Sequence, residues 1–117
     1  MKIVSAQSWP VNIYMAGNID TAAHTCRKFC DDLGLCVRLY ESFYIYKDGS
    51  EAGFTVGLMN YPRFPTSTGT MNSLAIRLGK ELLVACGQES FSIETPEETV
   101  WFSNREEDNE EGNETGL

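Results

Sequence analysis

One histidine, four cysteines and, ahead of the acidic C-terminal stretch, two pairs of adjacent acids are the residues here whose chemistry could drive a reaction. His24 is the only imidazole, so any Ser-His-Asp or Cys-His arrangement would have to use it. It falls near the start of a helical pattern, where the helix dipole disfavours an imidazolium, and no carboxylate is evidently placed to orient it. Asp31-Asp32 and Glu97-Glu98 are neighbours in sequence. Such pairs usually diverge into water at element ends, whereas general-acid work needs one carboxyl with a raised pKa. The cysteines Cys26, Cys30, Cys36 and Cys86 have the spacing C-x3-C-x5-C and then a distant fourth, a poor match to a zinc set. Each falls on an apolar position of its element, which predicts free thiols acting as small hydrophobes. Walker, G-x-G-x-x-G and H-E-x-x-H motifs are absent. These residues predict a protein that binds rather than catalyses, with no cofactor and no metal.

Recognition chemistry is concentrated in Asn60-Tyr61-Pro62-Arg63-Phe64-Pro65. Tyr61 and Phe64 offer faces for a nucleobase, Arg63 a planar fork for phosphate, and Asn60 an amide. The prolines stiffen the segment and lower its ordering cost. The hydroxyls and free N–H groups of residues 66–70 follow at a helix start, a natural seat for an anion. The plain alternative is a rigid connector with Phe64 in the core and Arg63 in water. A second candidate cluster is Asn18, His24, Arg27 and Lys28, the last three sharing one helix face at i, i+3, i+4. A third is Arg105, directly after the aromatic strand Trp101-Phe102.

The elements that must position these groups follow from periodicity. Residues 11–16 alternate as a strand, with Pro10 confining what precedes them to an edge or lead-in. Ile19, Ala22, Ala23, Cys26, Phe29, Cys30 and Leu33 form a helical stripe, capped by Asn18 or Asp20 and stopped by Gly34. From Leu35 the period becomes two, with a possible break at Glu41-Ser42 and a turn at residues 47–51. A returning strand runs from Phe54 to Met59. Met71, Leu74, Ala75, Leu78, Leu82, Ala85 and Cys86 mark a second helix capped by Ser67, Thr68 or Thr70. Residues 91–94 and 99–102 read as two short strands, with Trp101 and Phe102 pointing to opposite faces. The order predicts an α+β fold, an antiparallel sheet with two helices on one face in a β-α-β-β-α-β-like plan.

At 117 residues there is room for one domain, expected over 1–104. The net charge of −8 resides mainly in residues 105–117, which carry −5 and read as an acidic, disordered tail. The near-neutral body argues against a duplex nucleic acid partner. No apolar run is long enough to span a membrane, and the N-terminus does not read as a signal peptide, so a cytoplasmic protein is expected.

Taken together, Ile13-Tyr14-Met15-Ala16-Gly17-Asn18, Cys26-Arg27-Lys28-Phe29-Cys30, Gly34-Leu35-Cys36-Val37, residues 51–58, the 60–65 segment and Thr99-Val100-Trp101-Phe102-Ser103 resemble the phage Thoeris anti-defence family of cyclic-nucleotide sponges. The likeness runs over roughly residues 11–106. It implies a phage protein in the host cytoplasm that sequesters cyclic ADP-ribose-type signals without cleaving them, as a dimer or hexamer. It also implies an adenine against Tyr61 or Phe64, a pyrophosphate at Arg63 and Arg105, and a second cyclic-nucleotide site at His24, Arg27 and Lys28. The chain departs from the family after Ser103, where Asn104 and a lone Arg105 give way to acids. The alternative is an adaptor that covers a partner protein with its aromatic strands and acidic tail.

Overall fold

The computed structural model describes residues 1–109. β1 (Val11–Ala16) leads into α1 (Ile19–Leu33); β2 (Arg38–Tyr46) and β3 (Gly49–Leu58) form a hairpin; α2 (Thr68–Ala85) follows. β4 (Ser90–Glu94) and β5 (Thr99–Ser103) make a second hairpin before a single helical turn, α3 (Glu106–Asn109). The strands build one antiparallel sheet in the order β2-β3-β1-β4-β5. This is the α+β plan expected from the sequence, with β5 added at the edge.

In β1 the side chains of Val11, Ile13 and Met15 are buried and those of Asn12, Tyr14 and Ala16 are only partly so, because successive residues of a strand point to opposite faces. The buried set meets Phe54, Val56 and Leu58 of β3 in register and packs beneath both helices. Ile13, Phe54, Leu78, Leu82 and Ile93 are fully enclosed, each worth about 1.5–3 kcal/mol of apolar transfer. α1 begins where Asn18 Oδ1 accepts the N–H groups of Asp20 and Thr21 at 2.8 and 3.1 Å. It ends at Gly34, whose φ of 67° is left-handed, with the N–H groups of Gly34 and Leu35 both returning to the Cys30 carbonyl. Ser67 caps α2 by accepting the Thr70 N–H at 3.1 Å.

Several sequence expectations are corrected. β2 starts at Arg38 rather than Leu35 and runs unbroken through Glu41-Ser42, because β3 supplies a partner for each residue, Phe54 and Gly53 at those two positions. The turn shrinks to Lys47-Asp48, with Asp48 at φ 63° and Tyr46 paired to Gly49. Cys36 is exposed and is no core filler; Cys26 is the buried thiol, pushed up to about 12 mainly by desolvation. Residues 106–109, assigned to the tail, form a helical turn; the expected disorder of 110–117 lies outside the described residues.

Both helices lie on one side, which leaves the other side of the sheet uncovered. Beyond Gly53 the neighbouring β1 has ended, so the distal part of the β2–β3 hairpin projects from the body. There Phe43 and Ile45 are 65% and 79% exposed. No described helix is long and apolar enough to cross a membrane.

Candidate functional site

On the uncovered face the polar half of each strand's alternation comes together. Asn12 stands opposite Glu94, and Tyr14 opposite Ser92 on one side and Thr55 on the other. Trp101 follows next to Ser92, and Tyr40 lies next to Thr55. At the centre Tyr14 Oη donates to Glu94 Oε1 at 2.7 Å, and Asn12 Nδ2 reaches the same oxygen at 3.4 Å. Ser42 and Thr55 share a hydroxyl contact of 3.0 Å. Tyr44 lies across Gly53, where no Cβ stands in its way, and its Oη donates to the Phe54 carbonyl at 2.8 Å. Arg38 lies over Gly57 in the same manner, with its guanidinium carbon 5.6 Å from the Tyr40 ring centroid. The face thus has one carboxylate held by two donors, on a sheet surface that also carries the rings of Tyr40, Tyr44 and Trp101, with Tyr40 and Trp101 about half exposed.

The Tyr14 phenol is raised from 10.0 to about 12, first by its hydrogen bond to the Glu94 carboxylate, then by desolvation and the negative charge of Glu94, with smaller contributions from Tyr40 and Tyr44. Tyr14 is therefore a donor across the physiological range and no general base. Folding favours the protonated phenol, so this contribution to stability is complete below the unfolded value of 10.0 and is lost as pH rises toward 12. In a near-ultraviolet titration, the last phenolate to form in the folded protein should include Tyr14, and Tyr14→Phe should remove that late component.

The structure spreads the residues singled out in the sequence over several places. Asn60 is buried and fully engaged: its Nδ2 donates to the Gln7 carbonyl at 3.0 Å and its Oδ1 accepts the Thr66 N–H at 2.9 Å. It ties the loop down. Tyr61 and Phe64, with Asn60, border a cavity of about 270 Å³ under the loop, between the end of α1 and the start of α2. Tyr61 Oη lies 3.2 Å from Cys36 Sγ. Arg63 is exposed and stacks over Phe64, 5.3 Å from its centroid. Arg105 is not brought to Arg63. It stands at the opposite end of the sheet, 3.3 Å from the Glu89 carboxylate. Of the helix cluster, Asn18 is spent as the α1 cap, and His24 and Lys28 border a shallow hollow with Lys80 and Glu81 of α2. Arg27 faces a different groove beside Cys30 and Asp31. Among the described residues, no three His, Cys, Asp or Glu side chains are grouped to hold a metal ion.

Sequence reasoning missed Tyr14, Tyr40, Tyr44 and Glu94. Their signal was the parity opposite to the apolar set within each strand, which marks a face but not whether anything covers it.

No family model matches the sequence, and no curated protein matches it. Two solved structures share the fold. One, a phage SAM lyase in complex with S-methyl-5'-thioadenosine, superposes with a TM-score of 0.70 at 14% identity, over 88% of this chain and 95% of that one. The other, a phage SAM lyase in the apo state, gives 0.63 at 15% identity, over 83% and 90%. The chain therefore has a fold found in a phage protein that binds a small nucleoside thioether; neither structure bears on cyclic ADP-ribose. The expectation of a protein without catalysis is corrected by this finding, since both structures are of an enzyme. The lone histidine and absent nucleotide loops speak only against triads and phosphate cradles, and the fold is one that an enzyme also has.

Proposed function

We propose that this protein is a lyase acting on S-adenosylmethionine or a closely similar sulfonium nucleoside, with the uncovered sheet face as its binding surface. The observation that supports the reading best is the Glu94 carboxylate, held by Tyr14 and Asn12 amid aromatic rings. In such a reaction the bond between sulfur and the aminobutyryl carbon breaks, and both electrons pass to sulfur, which leaves as a neutral thioether. No external nucleophile is required: the substrate's own carboxylate oxygen bonds to the carbon that leaves sulfur, giving a lactone and the neutral thioether with no proton to transfer. The protein's task is then orientation and electrostatics.

The charge change constrains the roles. Positive charge disappears at sulfur as the bond breaks, so a carboxylate facing the sulfonium would stabilise the ground state more than the transition state. Glu94 fits the substrate's α-ammonium instead, where charge is unchanged and the arm must be fixed. The ring of Trp101, on β5 beside the strand that carries Glu94, fits the adenine. One exposed face encloses a ligand poorly. The projecting hairpin, whose exposed Phe43 and Ile45 share the parity of the core-facing Leu39, offers apolar surface for a second copy.

The test is to incubate the purified protein with S-adenosylmethionine and quantify 5'-methylthioadenosine by chromatography and mass. The expected result is catalytic release at many turnovers per subunit. Return of the substrate intact, with a cyclic ADP-ribose isomer retained and released only on denaturation, would overturn the lyase reading in favour of nucleotide sequestration.

A further inference from the structure

We propose that the cavity under the 60–66 loop is a separate binding site for an uncharged, planar heteroaromatic of fragment size, of the indole or benzimidazole class. It does not rest on the lyase reading: Leu58, on its wall, belongs to the helix-covered side of the sheet, away from the face carrying Glu94. Its floor is aliphatic, from Leu35, Leu58, Met71 and Leu74, and its loop side carries the rings of Tyr61 and Phe64. At about 270 Å³ it falls just below the span of about 300–1,000 Å³ typical of drug-sized ligands.

The lining selects the charge of the occupant. No Lys, Arg, Asp or Glu lines it and Arg63 stands outside, over the outer ring Phe64, so an ion seated at the aliphatic floor would give up hydration with nothing there to replace it. Besides the Thr66 hydroxyl, one polar pair stands at the rim. Asn60 has both ends of its amide engaged, whereas the Tyr61 hydroxyl and Cys36 thiol bond only to each other among the described contacts, at 3.2 Å. That pair has capacity for one more partner, which suits a ring N–H or a ring nitrogen. Met59 and Phe64 expose 47% and 69% of their surface at the edge, apolar area that a seated ring would cover.

The experiment uses the full chain with indole as probe, observed by saturation-transfer NMR, and indole-3-carboxylate as the charged counterpart. Indole is expected to bind and indole-3-carboxylate to be at least about tenfold weaker. Saturating indole should slow alkylation of Cys36 severalfold, read at that residue by peptide fragmentation. Leu74→Trp, which fills the cavity, should lower indole affinity by about tenfold or more and abolish the protection. Phe64→Ala, at an exposed position, should fold normally and weaken binding severalfold, which keeps the test decisive if Leu74→Trp does not fold. Absence of indole binding, equal binding of the carboxylate, or affinity unchanged in Phe64→Ala would each overturn the proposal.

Discussion

Glutamine at position 94 is expected to lower kcat/KM for S-adenosylmethionine by about 10–100-fold, mainly through KM, as loss of a charge-assisted hydrogen bond that is equal in ground and transition states does. The substitution keeps the shape and an acceptor for Tyr14 Oη, so it isolates the charge. Glu94 is exposed on its strand, and stability should change by no more than about 0.5 kcal/mol. If Glu94 holds the α-ammonium, the loss belongs to recognition of that group and not to the sulfonium. A substrate analogue lacking the amine should then be equally poor with the parent and with Glu94→Gln, the coupling that a double-mutant cycle detects. Tyr14→Phe, which removes the 2.7 Å donor to the same oxygen, should cost less, because Asn12 still touches the carboxylate. Unchanged kcat/KM in Glu94→Gln would remove this face from the chemistry.

What the sequence made legible was whatever is decided locally. α1 was readable through its stripe to its stop at Gly34, and its cap Asn18 and the cap Ser67 of α2 were each among the few candidates, because these signals lie within one stretch of chain. The extent of the first hairpin was not readable. Whether Glu41-Ser42 interrupts β2 depends on Phe54 and Gly53 across the ladder, and a pairing partner leaves no local mark. The candidate site was hidden for the same reason. Tyr14 and Glu94 are 80 residues apart, and only the strand order places β1 beside β4. The proline-flanked loop drew attention because it concentrates polar and aromatic groups. Yet Asn60, its most suggestive member, spends its amide on Gln7 and Thr66. A polar residue just ahead of two prolines is as well suited to pinning a loop as to holding a ligand, and here both ends of its amide bond to the chain's own backbone.

Alanine at Gly53 should be the most damaging single-methyl change in this protein, because it strikes the fold and the site together. A Cβ there would come within 3.0 Å of the Met15 carbonyl oxygen, the Ala16 Cα and the Tyr44 ring. Tyr44 could swing aside by giving up its bond to the Phe54 carbonyl. Met15 and Ala16 have less room to move, since both are paired to β3 and the strand they end is pinned by β4 as far as Tyr14. Overpacking of this kind costs about 1–3 kcal/mol, and the upper end is expected where main chain is the obstacle. For a domain of this size each kcal/mol lowers the melting temperature by roughly 4–8 °C. Gly69→Ala is the matched control: a Cβ there meets nothing within 4 Å, and in the first turn of a helix alanine should be neutral or mildly stabilising. Should Gly53→Ala melt with its parent, Tyr44 would not be lying on a bare strand, and the packing ascribed to this face would be wrong. If instead it is destabilised and the surviving folded fraction has also lost turnover, Tyr44 belongs to the surface that binds substrate.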